Sequence, residues 1–326
     1  MNNLYTVKQR TLGEAFSLSG KGLHTGLNVT ITFRPAKENA GYQIRRIDLP
    51  GHPIIQASAE NVVSTDRGTV LSVDGIQVGT IEHGLAALYA NEIDNCLIDV
   101  DAPEFPILDG SAIEYVKKIA QAGIEEQAAD REYFIPCEKI EYMDEASGSH
   151  LILLPDDKFS IRTKIDFNSI VLGTQNAMLD NLSDFGTQFS MCRTFVFVRE
   201  IEALLQRGLI KGGDLNNAIV IYDEPIQQKE LDYLADIMNV ERQDAEKMGY
   251  ILSAPLRFAN EPARHKLLDI IGDISLVGRF IKGTIIAVYP GHKVNNQFAR
   301  AILKEIKKQH KQTANEECEQ LLCLRQ

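Results

Sequence analysis

The stretch Arg264-His265-Lys266-Leu267-Leu268-Asp269-Ile270-Ile271-Gly272-Asp273 constrains this chain more than any other. At roughly 100° per residue, a helix places His265, Asp269 and Asp273 on one face, while Leu267, Leu268, Ile270 and Ile271 supply buried packing. An imidazole and a carboxylate one turn apart on a rigid helix can share one metal ion. Taken alone the pattern is weak, since composition gives roughly half such a match by chance.

Two further segments strengthen it. In Thr80-Ile81-Glu82-His83-Gly84-Leu85-Ala86-Ala87-Leu88, Thr80 is a candidate helix cap, and Glu82 suits the positive end of a helix. His83 then reads as a third ligand, with Glu82 as general base; the bland alternative is a surface Glu-His pair. In Tyr289-Pro290-Gly291-His292-Lys293-Val294-Asn295-Asn296, a histidine follows a strand-like run at a strand-to-helix turn, where side chains commonly face a cleft.

These pieces occur in a recognisable order. Gly20-Lys21-Gly22-Leu23-His24-Thr25-Gly26, Thr80 to His83, Ala102-Pro103-Glu104-Phe105-Pro106-Ile107-Leu108-Asp109-Gly110-Ser111-Ala112, Cys192-Arg193-Thr194-Phe195, Arg264 to Asp273 and Gly291-His292 follow one another here. That succession resembles the zinc-dependent UDP-3-O-acyl-N-acetylglucosamine deacetylases, enzymes of the committed step of lipid A synthesis in Gram-negative bacteria. The resemblance runs from about residue 7 to about 305.

Composition agrees with an enzyme of this size. The 326 residues suffice for two ordinary domains, and 44% hydrophobic with 24% charged residues is globular composition. A net charge of −11 disfavours nonspecific binding to nucleic acid or anionic membrane. The polar first ten residues lack a secretory core and no run is long enough to span a bilayer, so a cytoplasmic protein without stable membrane insertion is expected. A monomer is expected as well. The five cysteines, Cys96, Cys137, Cys192, Cys318 and Cys323, lack zinc-knuckle or redox spacing and read as reduced thiols.

The patterning predicts an α+β fold of two halves, each a sheet with helices packed on one face, and the resemblance implies that the two are similar domains with the active site between them. Strands are expected at 5–12, 16–19, 28–33, 41–46, 68–73 and 96–100, and helices at 81–90 and 113–122. A linker or helix tail at 125–131 divides domain 1–128 from domain 129–308. The second has strands at 133–142, 150–154, 159–166, 193–198, 218–221 and 284–289, and helices at 200–206, 263–277 and 297–308. The two candidate metal helices would occupy similar places, which suggests an ancient duplication. Residues 225–258 depart from the family pattern and predict a helical insertion near the site, with helix formers at 227–238 and 241–248. The tail 309–326 matches nothing; it is either a natural extension or a boundary where some relatives are fused to an acyl-carrier-protein dehydratase.

Matched to the family motifs, His83, His265 and Asp269 are ligands of one Zn²⁺; Fe²⁺ can occupy the same donors. Glu82 is the base. Thr194 helps hold the oxyanion, His292 donates to the leaving nitrogen, and Asp273 orients His292. Lys266 turns about 100° away from the metal and, by resemblance, contacts substrate. The resemblance implies an acylated UDP-sugar, whose N-acetyl group is hydrolysed to release acetate. Phe195 can pack on the sugar or acetyl face, and Val198, Ile201, Ile210, Leu215 and Val220 would line a passage for the acyl chain, unless they are simply core. Two alternatives stand beside this reading: a metal-dependent amidase acting on another acylated amide, or a catalytically inactive binder of lipid or nucleotide-sugar. His24 sits in a family motif with either a loop-bracing or a substrate role.

Overall fold

The computed structural model describes residues 6–323, with side chains through 309. Tyr5 and residues 324–326 lie outside it, as do the side chains of the tail cysteines. Among the described residues there are seven α-helices: α1 Glu82–Ala90, α2 Ile113–Ala122, α3 Phe185–Gln188, α4 Val198–Gln206, α5 Gln228–Met238, α6 Glu261–Ser275 and α7 His292–Cys323.

Two five-stranded sheets organise the molecule, and their topologies are the same. The first runs Phe16–Lys21, Asn28–Pro35, Cys96–Val100, Tyr42–Arg46, Ile54–Gln56 in spatial order, and the second runs Ile140–Asp144, Ser149–Pro155, Gly283–Val288, Phe159–Ile165, Gln175–Leu179. In each, the last strand in sequence enters the middle, antiparallel to the neighbour before it in this order and parallel to the one after it. The register sets Ile31 and Ile44 beside Val100 and Ile98 in one sheet, and Leu153 and Ile161 beside Ile285 in the other, so each centre is a band of aliphatic side chains. Each half also carries a small three-stranded sheet just before the helix with its candidate metal ligands: Val62–Ser64, Val70–Val73 and Ile76–Val78 before α1, and Phe195–Phe197, Ile219–Tyr222 and Gly249–Ile251 before α6.

The helices meet between the sheets, and α1 packs directly on α6. Every residue of α1 is buried, which explains its all-apolar run after His83. The approach is close enough that a Cβ on Gly272 would sit 2.2 Å from the Glu82 carbonyl oxygen. A glycine inside a helix costs about 1 kcal/mol against alanine, and here it lets two backbones touch. At Gly84 the neighbours are side chains: a Cβ there would meet the rings of Phe105 and Phe33 at 3.3 and 3.4 Å.

Several sequence-based expectations are corrected. Residues 125–131 are not a linker or helix tail: Ile124–Asp130 is a strand paired antiparallel with Lys8–Leu12. The continuous strand at 133–142 is two, Tyr133–Phe134 and Ile140–Asp144, separated by a segment containing Pro136, which has no N–H for a ladder. In the insertion, α5 forms as expected, but 241–248 is irregular. Asn239 in the left-handed region, φ 52°, ends α5, and side chains then capture the backbone: Asp244 accepts from Glu246 N–H and Gln228 from Ala245 N–H. The last helix starts at His292 and continues through the expected tail to Cys323.

Candidate active site

Glu82 and His83 open α1, and both are buried. Thr80 does not cap this helix. Its backbone sits at φ 53°, unusual for a β-branched residue, and its hydroxyl donates to Glu104 Oε1 at 3.0 Å. Glu104, itself buried, also accepts from the His24 and Thr25 N–H groups at 2.7 and 2.9 Å and from the Thr25 hydroxyl at 2.8 Å. One carboxylate thus ties the 20–26 loop to the entry of α1. The His24 backbone takes part in this bracing, and its ring lines the apolar cavity described below.

Donor atoms of His83, His265 and Asp269 all lie within 4.8 Å of one another. His265 Nδ1 is 3.0 Å from the Cys192 carbonyl, which can only accept, so Nδ1 carries the proton and Nε2 presents its lone pair to the cluster. That Nε2 is 3.3 Å from Asp269 Oδ1, and His83 Nε2 is 3.9 Å from the same oxygen. Asp269 Oδ1 is buried yet accepts no hydrogen bond among the described residues, a costly state unless something else binds it. Burial, and then the neighbouring His265, pull the His83 pKa down to about 3, so the ring is neutral at pH 7. Burial opposes charge on Asp269, but His265, Lys266, His292 and His83 around it hold its carboxyl below the usual range. Two neutral imidazoles and one carboxylate converging on one point fit a divalent cation.

Lys266 does not turn away as its helical angle suggests. Its Nζ folds back to donate to Asp269 Oδ2 at 2.8 Å and lies 5.4 Å from the centre of the Phe195 ring. A four-carbon stem can bridge one helical turn.

His292 Nδ1 donates to Asp273 Oδ2 at 2.9 Å, and its Nε2 faces Glu82 Oε1 and Asp269 Oδ2, each at 3.8 Å. Burial works against a charged imidazole, but Asp273, Asp269 and Glu82 prevail and raise its pKa to about 9. Burial raises Glu82 to about 7, against the pull of His292. Asp273 is wholly buried and also accepts from the Thr69 hydroxyl at 2.5 Å and from Asn295 Nδ2 at 2.9 Å. Neither partner was singled out in the sequence. Asn295 lies one turn beyond His292, a spacing that points to the same face; nothing local marks Thr69.

Thr194 lines the cleft of this cluster, and Arg193 beside it is fixed by Glu261, which accepts from its backbone N–H at 2.9 Å and its Nε at 3.0 Å. A second, apolar cavity adjoins the cleft. Leu23, Arg67, Thr194 and Phe195 line both, and Val198, Ile201, Ile210, Leu215 and Val220 all line the second. All five border this cavity, and Val198, Ile201 and Ile210 are also packed in a buried apolar cluster.

The family model of LpxC, UDP-3-O-acyl N-acetylglycosamine deacetylase, matches residues 9–238 and 245–304. The chain belongs to this family. Within the 225–258 stretch expected to depart from the LpxC pattern, the match breaks only at 239–244. Among curated relatives, the bifunctional enzyme LpxC/FabZ of Bacteroides thetaiotaomicron is 55% identical over 96% of this chain and 68% of its own. The protein of the same name from Porphyromonas gingivalis is 57% identical over 94% of this chain and 66% of its own. The UDP-3-O-acyl-N-acetylglucosamine deacetylase of Myxococcus xanthus is 39% identical over 91% and 87%. The chain therefore spans about two thirds of the bifunctional LpxC relatives and most of the single-function one. No helix among the described residues is long and apolar enough to cross a membrane.

Proposed function

We propose that this chain hydrolyses the N-acetyl group of UDP-3-O-(3-hydroxyacyl)-N-acetylglucosamine, releasing acetate in the committed step of lipid A biosynthesis, with a zinc ion held by His83, His265 and Asp269. The observation that carries the reading is the convergence of those three donor atoms around a buried Asp269 oxygen that accepts no hydrogen bond among the described residues. When bound, such a cation lowers the pKa of water and polarises an acetyl carbonyl; Fe²⁺ can serve the same donors.

The chain's own residues do the rest. Glu82, desolvated and next to the cluster, takes the proton from the attacking water. Thr194 offers a hydroxyl to the oxygen that gains negative charge. His292, charged and steered by Asp273, gives a proton from Nε2 to the departing nitrogen. Lys266 and Phe195 form the substrate-facing wall beside Asp269, and the apolar cavity receives the acyl chain, each buried methylene contributing about 0.8 kcal/mol. The reading implies a cytoplasmic monomer with no nucleic-acid partner, consistent with a net charge of −11.

The test is release of acetate from the acylated UDP-sugar by the purified chain, with and without a chelator, alongside elemental analysis. Activity lost with the metal and restored by Zn²⁺ is expected. Full turnover by demonstrably metal-free protein would sink the reading.

A further inference from the structure

The apolar cavity has a wall that the catalytic cleft does not share. Leu231, Leu234, Ala235 and Met238 of α5 line the cavity, followed by Val240, and none of them borders the cleft. Their spacing of three, four and seven residues places them on one helical face, with Tyr233, Asp236 and Ile237 exposed on the other. Leu231 and Leu234 belong to a small apolar cluster with Val198, Ile201, Leu204, Ile210 and Tyr222, separate from the main core between the sheets. A helix whose apolar stripe faces open space rather than filling it leaves the size of that space to its side chains. Ala235, buried in the middle of the stripe, contributes no atoms beyond Cβ, while Met238 at the end is partly exposed.

We propose that α5 is the length-selecting wall of the acyl passage, Ala235 leaving room along its side and Met238 closing its far end. The proposal rests on the reading of the cavity as the acyl site. The acyl chain enters where cleft and cavity meet, at Leu23, Arg67, Thr194 and Phe195, passes along α4, and its terminal methylenes meet α5. Residues on α5 therefore act on the end of the substrate most distant from the reacting bond. They discriminate among acyl lengths without touching the acetyl group.

The experiment is kcat/KM measured on a series of 3-O-acylated UDP-N-acetylglucosamines of increasing chain length, for the metal-loaded wild type, Ala235→Phe and Met238→Ala. A phenyl ring at 235 is expected to lower the long-to-short ratio of kcat/KM by about fourfold for each methylene displaced. Met238→Ala is expected to shift the ratio toward longer chains. Met238 is partly exposed, so its truncation remains decisive if Ala235→Phe does not fold. A wild type that releases no acetate from any member defeats the deacetylase reading and this proposal with it. One that hydrolyses all lengths alike defeats the passage. One that discriminates, with an unchanged ratio in both variants, overturns the role of α5 alone.

Discussion

Asp273 accepts from His292, Thr69 and Asn295 in a fully buried setting, and this fixes the protonation that His292 can hold. The consequence for pH dependence has a definite sign. In the proposed mechanism Glu82 acts deprotonated, so activity climbs as pH rises through its raised pKa of about 7, and His292 acts protonated, so activity falls as pH rises through about 9. A bound cation favours the charged form of Glu82 and disfavours that of His292, so both limbs lie at or below these values. In Asp273→Asn the anion that most raises His292 is gone, and the basic limb is expected to move to lower pH in a kcat/KM profile. A basic limb that stays in place removes His292 from the acid role. The residue types of this constellation are legible because histidine and carboxylate at helical spacing, weak alone, occur in the company of the Glu82-His83 and Gly291-His292 segments. Thr69 is not, since its hydroxyl reaches Asp273 across 204 residues of sequence, and no local pattern encodes such a meeting.

At the scale of elements, the contact of α1 with α6 decides whether the ligands converge. Gly272 permits it, and Gly272→Ala would press a methyl group into the backbone of α1 at Glu82. Overpacking of this kind costs about 1–3 kcal/mol, and the helices must separate to relieve it. Lower stability in urea, with a matching fall in metal affinity, is the expected outcome; unchanged metal binding would show that the helices do not need this approach. Both helices were readable from long apolar runs, and Gly272 stood in plain view within one of them. What sequence could not tell was its purpose, because an isolated glycine in a helical pattern signals only a local cost. The strands Ile54–Gln56, Val62–Ser64 and Ile76–Val78 are too short for alternation to register. Ile124–Asp130 was misread because its Glu, Ala and Asp have low strand propensity, which pairing with Lys8–Leu12 overrides.

Over the whole molecule, the repeated sheet order was only hinted at by the similar placing of the ligand helices, since a topology of inserted central strands leaves no mark in a linear pattern. The second half is anchored at the start of α6 by Arg193 and Glu261, whose side chains are 2% and 0% exposed. Glu261 also accepts from Arg257 N–H at 2.7 Å. Glu261→Ala would strand a buried guanidinium, and a loss of about 3–5 kcal/mol is expected from denaturant unfolding; a shift below about 1 kcal/mol would mean that water reaches Arg193. Since α1 brings one imidazole from the first repeat, while α6 brings the other imidazole and the aspartate from the second, neither repeat is a miniature enzyme. The reactive centre is a property of the seam. Injury to either sheet should thus announce itself first as escaping metal, well before the chain comes apart.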